Sequence, residues 1–93
     1  MKGIVWAYRM EDGVQYLFEE VVENYKKIGI NPIKTQKSLT NSWVQFENGD
    51  SWKVVGAGAH ARGHRANISY IDYRIDPECI DTIIKPATVF PPV

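Results

Sequence analysis

Trp43-Val-Gln-Phe-Glu-Asn-Gly-Asp-Ser-Trp52, then Gly56-Ala-Gly-Ala-His-Ala-Arg-Gly-His-Arg65, then Ala66-Asn-Ile-Ser-Tyr-Ile-Asp72: this run decides the fold. Asn48-Gly49 between two apolar stretches signals a β-hairpin. A two-residue turn would place Trp43, Gln45, Trp52 and Val54 on one face and mix apolar with polar. A three-residue loop, Glu47-Asn48-Gly49, puts Val44, Phe46, Trp52 and Val54 on one face and Gln45, Ser51 and Lys53 on the other. Register follows the hydrophobic pattern, so the three-residue loop is expected, with Gly49 left-handed. Trp43 and Val55 then fall on the polar face as misfits. Gly56 to Arg65 has no periodicity and reads as a loop. Ala66 to Asp72 reads as a buried strand with Ile68, Tyr70 and Ile71 as its body, closed by an aspartate.

Working outward, Ile4-Val-Trp-Ala-Tyr8 is continuously apolar. That suits a strand covered on both faces, as in a parallel sheet flanked by helices. Asp12-Gly13 is read as its break. Val14, Leu17, Phe18, Val21, Val22, Tyr25 and Ile28 recur at three- and four-residue steps, so Gly13–Ile28 is expected to be an amphipathic helix. Asp12 is its expected cap, with Gln15 completing a capping box. Glu19, Glu20 and Glu23 precede Lys26 and Lys27, which complements the helix dipole. Gly29 and Pro32 mark the stop. Ile33-Lys34-Thr35 is a candidate short strand. Pro77 to Ile84 is expected to be a short helix capped by Asp76, with Cys79, Ile80, Ile83 and Ile84 facing inward. Pro91-Pro92 suggests an extended tail.

The chain's 93 residues suffice for one small domain, and 44% hydrophobic with 24% charged residues is an ordinary folded composition. Eleven basic residues balance eleven acidic ones, so any attraction to nucleic acid must come from a local patch. The single cysteine, Cys79, cannot form an internal disulfide and fits a reducing compartment. No apolar stretch approaches the length of a membrane span, and a cytoplasmic protein is expected.

Gly56-Ala-Gly58-Ala-His-Ala61 satisfies a dinucleotide-binding pattern, with Asp76 about twenty residues later. That site needs a helix whose N-terminus faces the pyrophosphate. The motif runs into Arg62-Gly-His-Arg65 and a strand instead, which leaves no room for the helix. His60 and His64 share the spacing of two zinc ligands on one helical turn. Gly63 lies between them in a segment without helical character, so they read as loop histidines. Arg62, His64 and Arg65 form the one dense basic cluster. It is either a solvated loop tip or a contact for phosphate, of a nucleotide or of a nucleic-acid backbone. Asp72 at a strand end could hold magnesium, or could simply close the strand. Glu11, Asp12, Asp76 and Glu78 could join it in a nuclease-like acidic cluster, although their spacing does not specify one.

Taken in order, these pieces resemble the ATPase domain of the large terminase subunit, the motor that packages DNA into tailed-phage capsids. Gly3-Ile-Val-Trp-Ala-Tyr8 and its helix resemble the strand and helix that follow the phosphate-loop helix in that family. Val44-Gln-Phe-Glu-Asn-Gly-Asp-Ser resembles its hairpin. Ala61-Arg-Gly-His-Arg-Ala-Asn-Ile-Ser-Tyr-Ile-Asp72 resembles its Arg-Gly loop and Walker B strand, and Asp76–Pro86 the helix beyond. The resemblance implies an α/β fold over residues 1–93: a small mixed sheet with a βα unit, a hairpin and a Walker B-like strand, part of a P-loop NTPase core. Ile4–Tyr8 and Ile68–Asp72 should be neighbouring parallel strands.

By the same resemblance, Asp72 would hold the magnesium ion of ATP, and Arg62 would be a catalytic arginine finger. Arg65 has a looser match there, as a support of the loop; the phosphate contacts expected of Arg62, His64 and Arg65 together rest on the basic cluster itself. Two departures stand out. Tyr73 follows Asp72 where the family has a glutamate that orients the attacking water, or else the chain is one residue shorter there. No phosphate loop G-x-x-x-x-G-K-[ST] precedes the first strand. The implied role is therefore part or regulator of a DNA-packaging motor rather than an autonomous ATPase. Expected partners are a phage motor or host protein, DNA through the Arg62–Arg65 loop, and a second copy through exposed sheet edges. The alternative is a small phage-encoded protein that binds a host protein, a nucleotide or nucleic acid.

Overall fold

A computed structural model describes residues 1–57 and 64–85. Its centre is a five-stranded mixed sheet of β1 (Lys2–Ala7), β2 (Pro32–Gln36), β3 (Trp43–Phe46), β4 (Ser51–Gly56) and β5 (Ile68–Ile71), in the order β2-β3-β4-β1-β5. β2, β3 and β4 form an antiparallel meander, whereas β1 runs parallel to both β4 and β5. The expected pairing of the first strand with the Asp72 strand is present: Gly3 lies opposite Ile68, and Trp6 opposite Ile71. The expected tail at Pro91-Pro92 lies outside the described residues.

The hairpin has the register set by its hydrophobic pattern. Val44 pairs with Trp52 and Gln45 with Ser51. The Phe46 N–H donates to the Asp50 carbonyl at 2.8 Å, leaving Glu47, Asn48 and Gly49 as the loop. Gly49 has φ +93°, a left-handed conformation that a side chain would strain. Val44, Phe46, Trp52 and Val54 are buried together with Val5, Ala7, Val14, Leu17, Val21 and Val22. Phe46 stacks on Tyr25 with ring centroids 3.9 Å apart.

The covering helix runs as α1 (Met10–Tyr16), a wide π-type turn (Leu17–Val21) and α2 (Val22–Lys27), and Gly29 follows it with φ +85°. Two expectations at its start are corrected. The helix begins at Met10, its cap is Arg9 with no side-chain bond, and Asp12 lies inside the first turn. Gly13 is no breaker. A Cβ there would stand 2.6 Å from both Ala7 Cβ and Val54 Cγ1, so its lack of a side chain lets the helix approach the sheet. Gln15 donates to Glu19 at 3.0 Å rather than completing a capping box. Ile28, expected on the inner stripe, is exposed.

On the opposite face, α3 (Pro77–Cys79) and a π-type segment (Ile80–Ile84) form the second helix. Asp76 caps it by accepting the Glu78 N–H at 2.8 Å. Ile83 and Ile84 pack with Ile4, Trp6, Val55, Ala66 and Ile75, with Cys79 and Ile80 at the margin. Val55, a misfit on the hairpin's polar side, is thus a core residue of the second face. β1 is buried on both faces from Gly3 to Ala7, while Tyr8 is exposed and outside the strand. The expectation of a buried β5 is also corrected. It is the sheet's edge, half-covered, with Ile68 exposed. Among the described residues, no helix is long and apolar enough to cross a membrane.

Candidate functional site

The sheet offers two polar regions, at opposite ends of its parallel strands. Asp72 stands just past the carboxyl end of β5, and its N–H donates to the Trp6 carbonyl at 3.2 Å. Arg74 encloses its carboxylate. The Arg74 backbone N–H and Nε donate to Oδ1 at 2.9 and 3.0 Å, and Nη2 donates to Oδ2 at 2.7 Å. The same Nη2 reaches Asp12 Oδ2 at 2.6 Å, joining the end of β5 to the helix start. These bonds hold the Asp72 carboxyl below its usual range and raise the Arg74 guanidinium above its own. The guanidinium also lies 5.1 Å from the Tyr8 ring centre and 5.8 Å from that of Tyr73.

Beside Asp72 is a depression of about 220 Å³ lined by Asp12, Gln15, Tyr16, Glu19, Glu20 and Tyr70, among others. Tyr16 and Tyr70 stack at 3.7 Å, and burial raises the Tyr16 hydroxyl pKa. Ligands of open α/β sheets collect at this end, but the carboxylates of Asp12, Glu19, Glu20 and Asp72 here repel phosphate. Among the described residues, no group of three or more His, Cys, Asp or Glu side chains is arranged to hold a metal ion. The nuclease-like acidic cluster therefore does not assemble among them.

The second region is basic. Across the sheet's second face, Trp43 lies opposite Lys53 and Lys53 opposite Ile4. In the adjacent row, Gln45 lies opposite Ser51 and Ser51 opposite Lys2. Among the described residues, the second helix covers the far rows, where Val55 pairs with Trp6, and the Ile4 end of the nearer one, while Trp43, Ser51 and Lys53 stay half-exposed and Lys2 and Gln45 exposed. Lys2, Trp43, Gln45, Lys53, His64 and Arg65 line a cleft of about 460 Å³, and no carboxylate is among its described lining residues.

Lys53 Nζ lies 2.7 Å from His64 Nδ1. An ammonium can only donate, so Nδ1 accepts and His64 is neutral in this arrangement. Burial, followed by the Lys53 charge, lowers the His64 pKa. Burial, followed by Lys2, lowers that of Lys53. The His64 ring also meets Trp6 edge-on at 6.4 Å. The Lys2 N–H donates to Asn67 Oδ1 at 2.9 Å, and the Asn67 N–H donates to the Lys2 carbonyl at 2.8 Å. These two bonds fix the cleft's edge to the start of β5.

His64 and Arg65 therefore share one cleft, and Asp72 lines a separate depression toward the other end of the sheet. Arg62 and His60 lie outside the described residues. Sequence reasoning missed Lys2, Lys53, Trp43 and Arg74. Trp43 had left a signal, a large aromatic on the polar side of the hairpin. Lys2 and Lys53 had none, because only the β1–β4 pairing brings them together. No protein-family model, curated protein or solved structure matches the chain.

Proposed function

We propose that this chain is a nucleic-acid-binding relative of the terminase ATPase core, working as part or regulator of a DNA-packaging motor and not hydrolysing ATP by itself. The observation that carries the binding role is a cleft with Lys2, Lys53 and Arg65 as its cations, neutral His64 beside Lys53, and no carboxylate among its described lining residues. In a chain of zero net charge, such local segregation of cations is the electrostatic footprint of a polyanion site. The motor kinship rests on the resemblance of the hairpin, the Arg-Gly loop and the Asp-ended strand. The parallel pairing of β1 with β5 is consistent with it.

Magnesium and ATP, which that kinship implies, do not fit the residues described. Both Asp72 oxygens already accept from Arg74, and the adjoining depression is acidic. A metal ion there would have to displace the guanidinium. In this proposal a partner supplies the nucleotide site.

Titration of fluorescent DNA with the purified chain tests the reading. Binding should weaken with salt. Lys53→Ala/Arg65→Ala should reduce the log–log salt slope by about 1.4–1.8, or about 0.7–0.9 for each phosphate no longer neutralised. Phosphate release from Mg-ATP by the chain alone should stay at background. Unchanged DNA binding in the double variant sinks the cleft, and turnover of ATP sinks the inactive-core reading.

A second reading, a protein-binding module, draws on the exposed pair Tyr8 and Tyr73 flanking Arg74. Tyrosine and arginine are among the residue types that dominate interface energetics. A host protein captured after nuclease treatment, and no longer captured by Tyr8→Ala/Tyr73→Ala, would favour it if DNA binding is absent.

A further inference from the structure

Building on the nucleic-acid-binding reading, we infer that the cleft takes single-stranded DNA, with one base stacked on Trp43 and the flanking phosphates on Lys53, Lys2 and Arg65. The chain has three tryptophans. Trp6 is fully buried and donates to Ser69 Oγ at 3.0 Å, and Trp52 is buried and donates to the Tyr25 hydroxyl at 3.2 Å. Trp43 is the one left half-open, and it lines the cleft. A large aromatic on the open side of a sheet, amid lysine and arginine, is the arrangement by which sheets stack unpaired bases and follow their backbone.

Register supports the same occupant. Trp43 and Lys53 are directly opposed, which sets their Cβ atoms about 4.5–5.5 Å apart. A lysine stem then reaches the phosphate beside a base lying on the indole. Gln45, Asn41 and Ser51 line the same cleft and supply donors and acceptors for a base edge. A cleft of about 460 Å³ is within the usual size range of a small-ligand site, so it has room for a base with its sugar. In a duplex the base faces are stacked away, and Trp43 would have nothing to bind.

Intrinsic fluorescence reads this directly, because Trp43 is the accessible indole. The native chain would be titrated with an oligothymidylate of about 15 nucleotides, within the span of single-strand sites. Parallel titrations would use an abasic strand of the same length, a duplex and thymidine monophosphate. The expected result is quenching by the oligothymidylate and affinity weaker by about fivefold or more for the abasic strand, as removal of a stacked base predicts. Trp43→Phe should retain most of the affinity, while Trp43→Ala should match the abasic result.

If no DNA form binds, the nucleic-acid reading itself falls. If abasic strand or duplex binds as tightly as oligothymidylate, that reading stands and base stacking is overturned. Equal competition by the monophosphate, compared per nucleotide, replaces the strand with a mononucleotide and also overturns the inference. All four titrations use the unmodified chain, so the folding of a variant does not decide them.

Discussion

The two faces of one sheet are covered to different extents. The first face is sealed over β3, β4 and β1 by a single long helix, and Val44, Phe46, Leu17 and Val5 are essentially without solvent. Among the described residues, the second face is sealed over Ile4, Trp6 and Val55, while Trp43, Ser51 and Lys53 are half-exposed and Lys2 and Gln45 exposed. Alternation along β3 and β4 produces both surfaces from neighbouring residues. Where a second helix covers the polar-side row, a residue such as Val55 joins the core. Where it does not, the described side chains of the row stay at least half-exposed.

The strongest way to break this comparison is to truncate one aromatic on each face of β3. Phe46→Ala removes a buried ring stacked on Tyr25 and should cost about 3–5 kcal/mol in denaturant unfolding. Trp43→Ala should cost less than about 1 kcal/mol, as for a residue outside the sealed core. Equal costs would mean that the open face is packed as tightly as the closed one.

A smaller effect sharpens the account of the sealed face. Gly13→Ala places a methyl 2.6 Å from Ala7 and Val54 side-chain atoms. Helix propensity alone favours alanine by about 1 kcal/mol, and crowding a packed interior costs about 1–3 kcal/mol. A net destabilisation of up to about 2 kcal/mol is expected by the same assay. Net stabilisation would show that the helix can lift away without penalty.

The smallest effect is in pH. The His64 pKa is lowered in the fold, chiefly by burial, so the unfolded chain binds the proton first. The stabilisation from keeping it neutral is present above the ordinary histidine value near 6.5 and is lost as pH falls through the lower folded value. Thermal midpoints should therefore decline slightly below about pH 6.5, and His64→Gln should remove that step. A midpoint that stays flat from neutral pH to about pH 5, with His64 intact, would contradict the Lys53–His64 geometry.

A second, acid-side decline comes from two carboxyls. That of Asp72 is lowered by its Arg74 bonds. That of Asp50 is pushed up by burial but lowered more by the Tyr25 hydroxyl, the Met1 ammonium and Asn48. Both contribute stability above the ordinary aspartate value that is lost as pH falls through their folded values.

Much of the fold was legible in the sequence because its periodicities are strong. The Val44/Phe46/Trp52/Val54 alternation set the hairpin register, and the Val14–Tyr25 steps identified the helix. The helix start was misread because Asp12-Gly13 carries the local signature of a cap and break, while the actual reason for Gly13 is a close approach to Ala7 and Val54. No local rule encodes that distance. The edge position of β5 was hidden for a related reason, since apolar content alone does not say how many strands lie beyond. Of the site, His64 and Arg65 were visible as a cluster. Lys2 and Lys53 became part of it only through the parallel pairing of β1 with β4, which sets Ile4 beside Lys53 and Lys2 beside Ser51 from opposite halves of the chain.

The central position of β1 has a consequence for the order of assembly. The meander of β2, β3 and β4 can close from near neighbours, at the speed of local turns. β1 cannot. Both of its partners, β4 and β5, come from the distant half of the chain, and loop closure must come before those pairings stabilise anything. During synthesis the most apolar strand is thus made early and partnered last. The buried members of the first cluster are all made once Val54 is in place, whereas the second cluster waits for Ile75, Ile83 and Ile84. Until that late segment arrives, Ile4 and Trp6 stand on a half-finished face, and a ribosome-bound chain would hold its apolar centre open on one side.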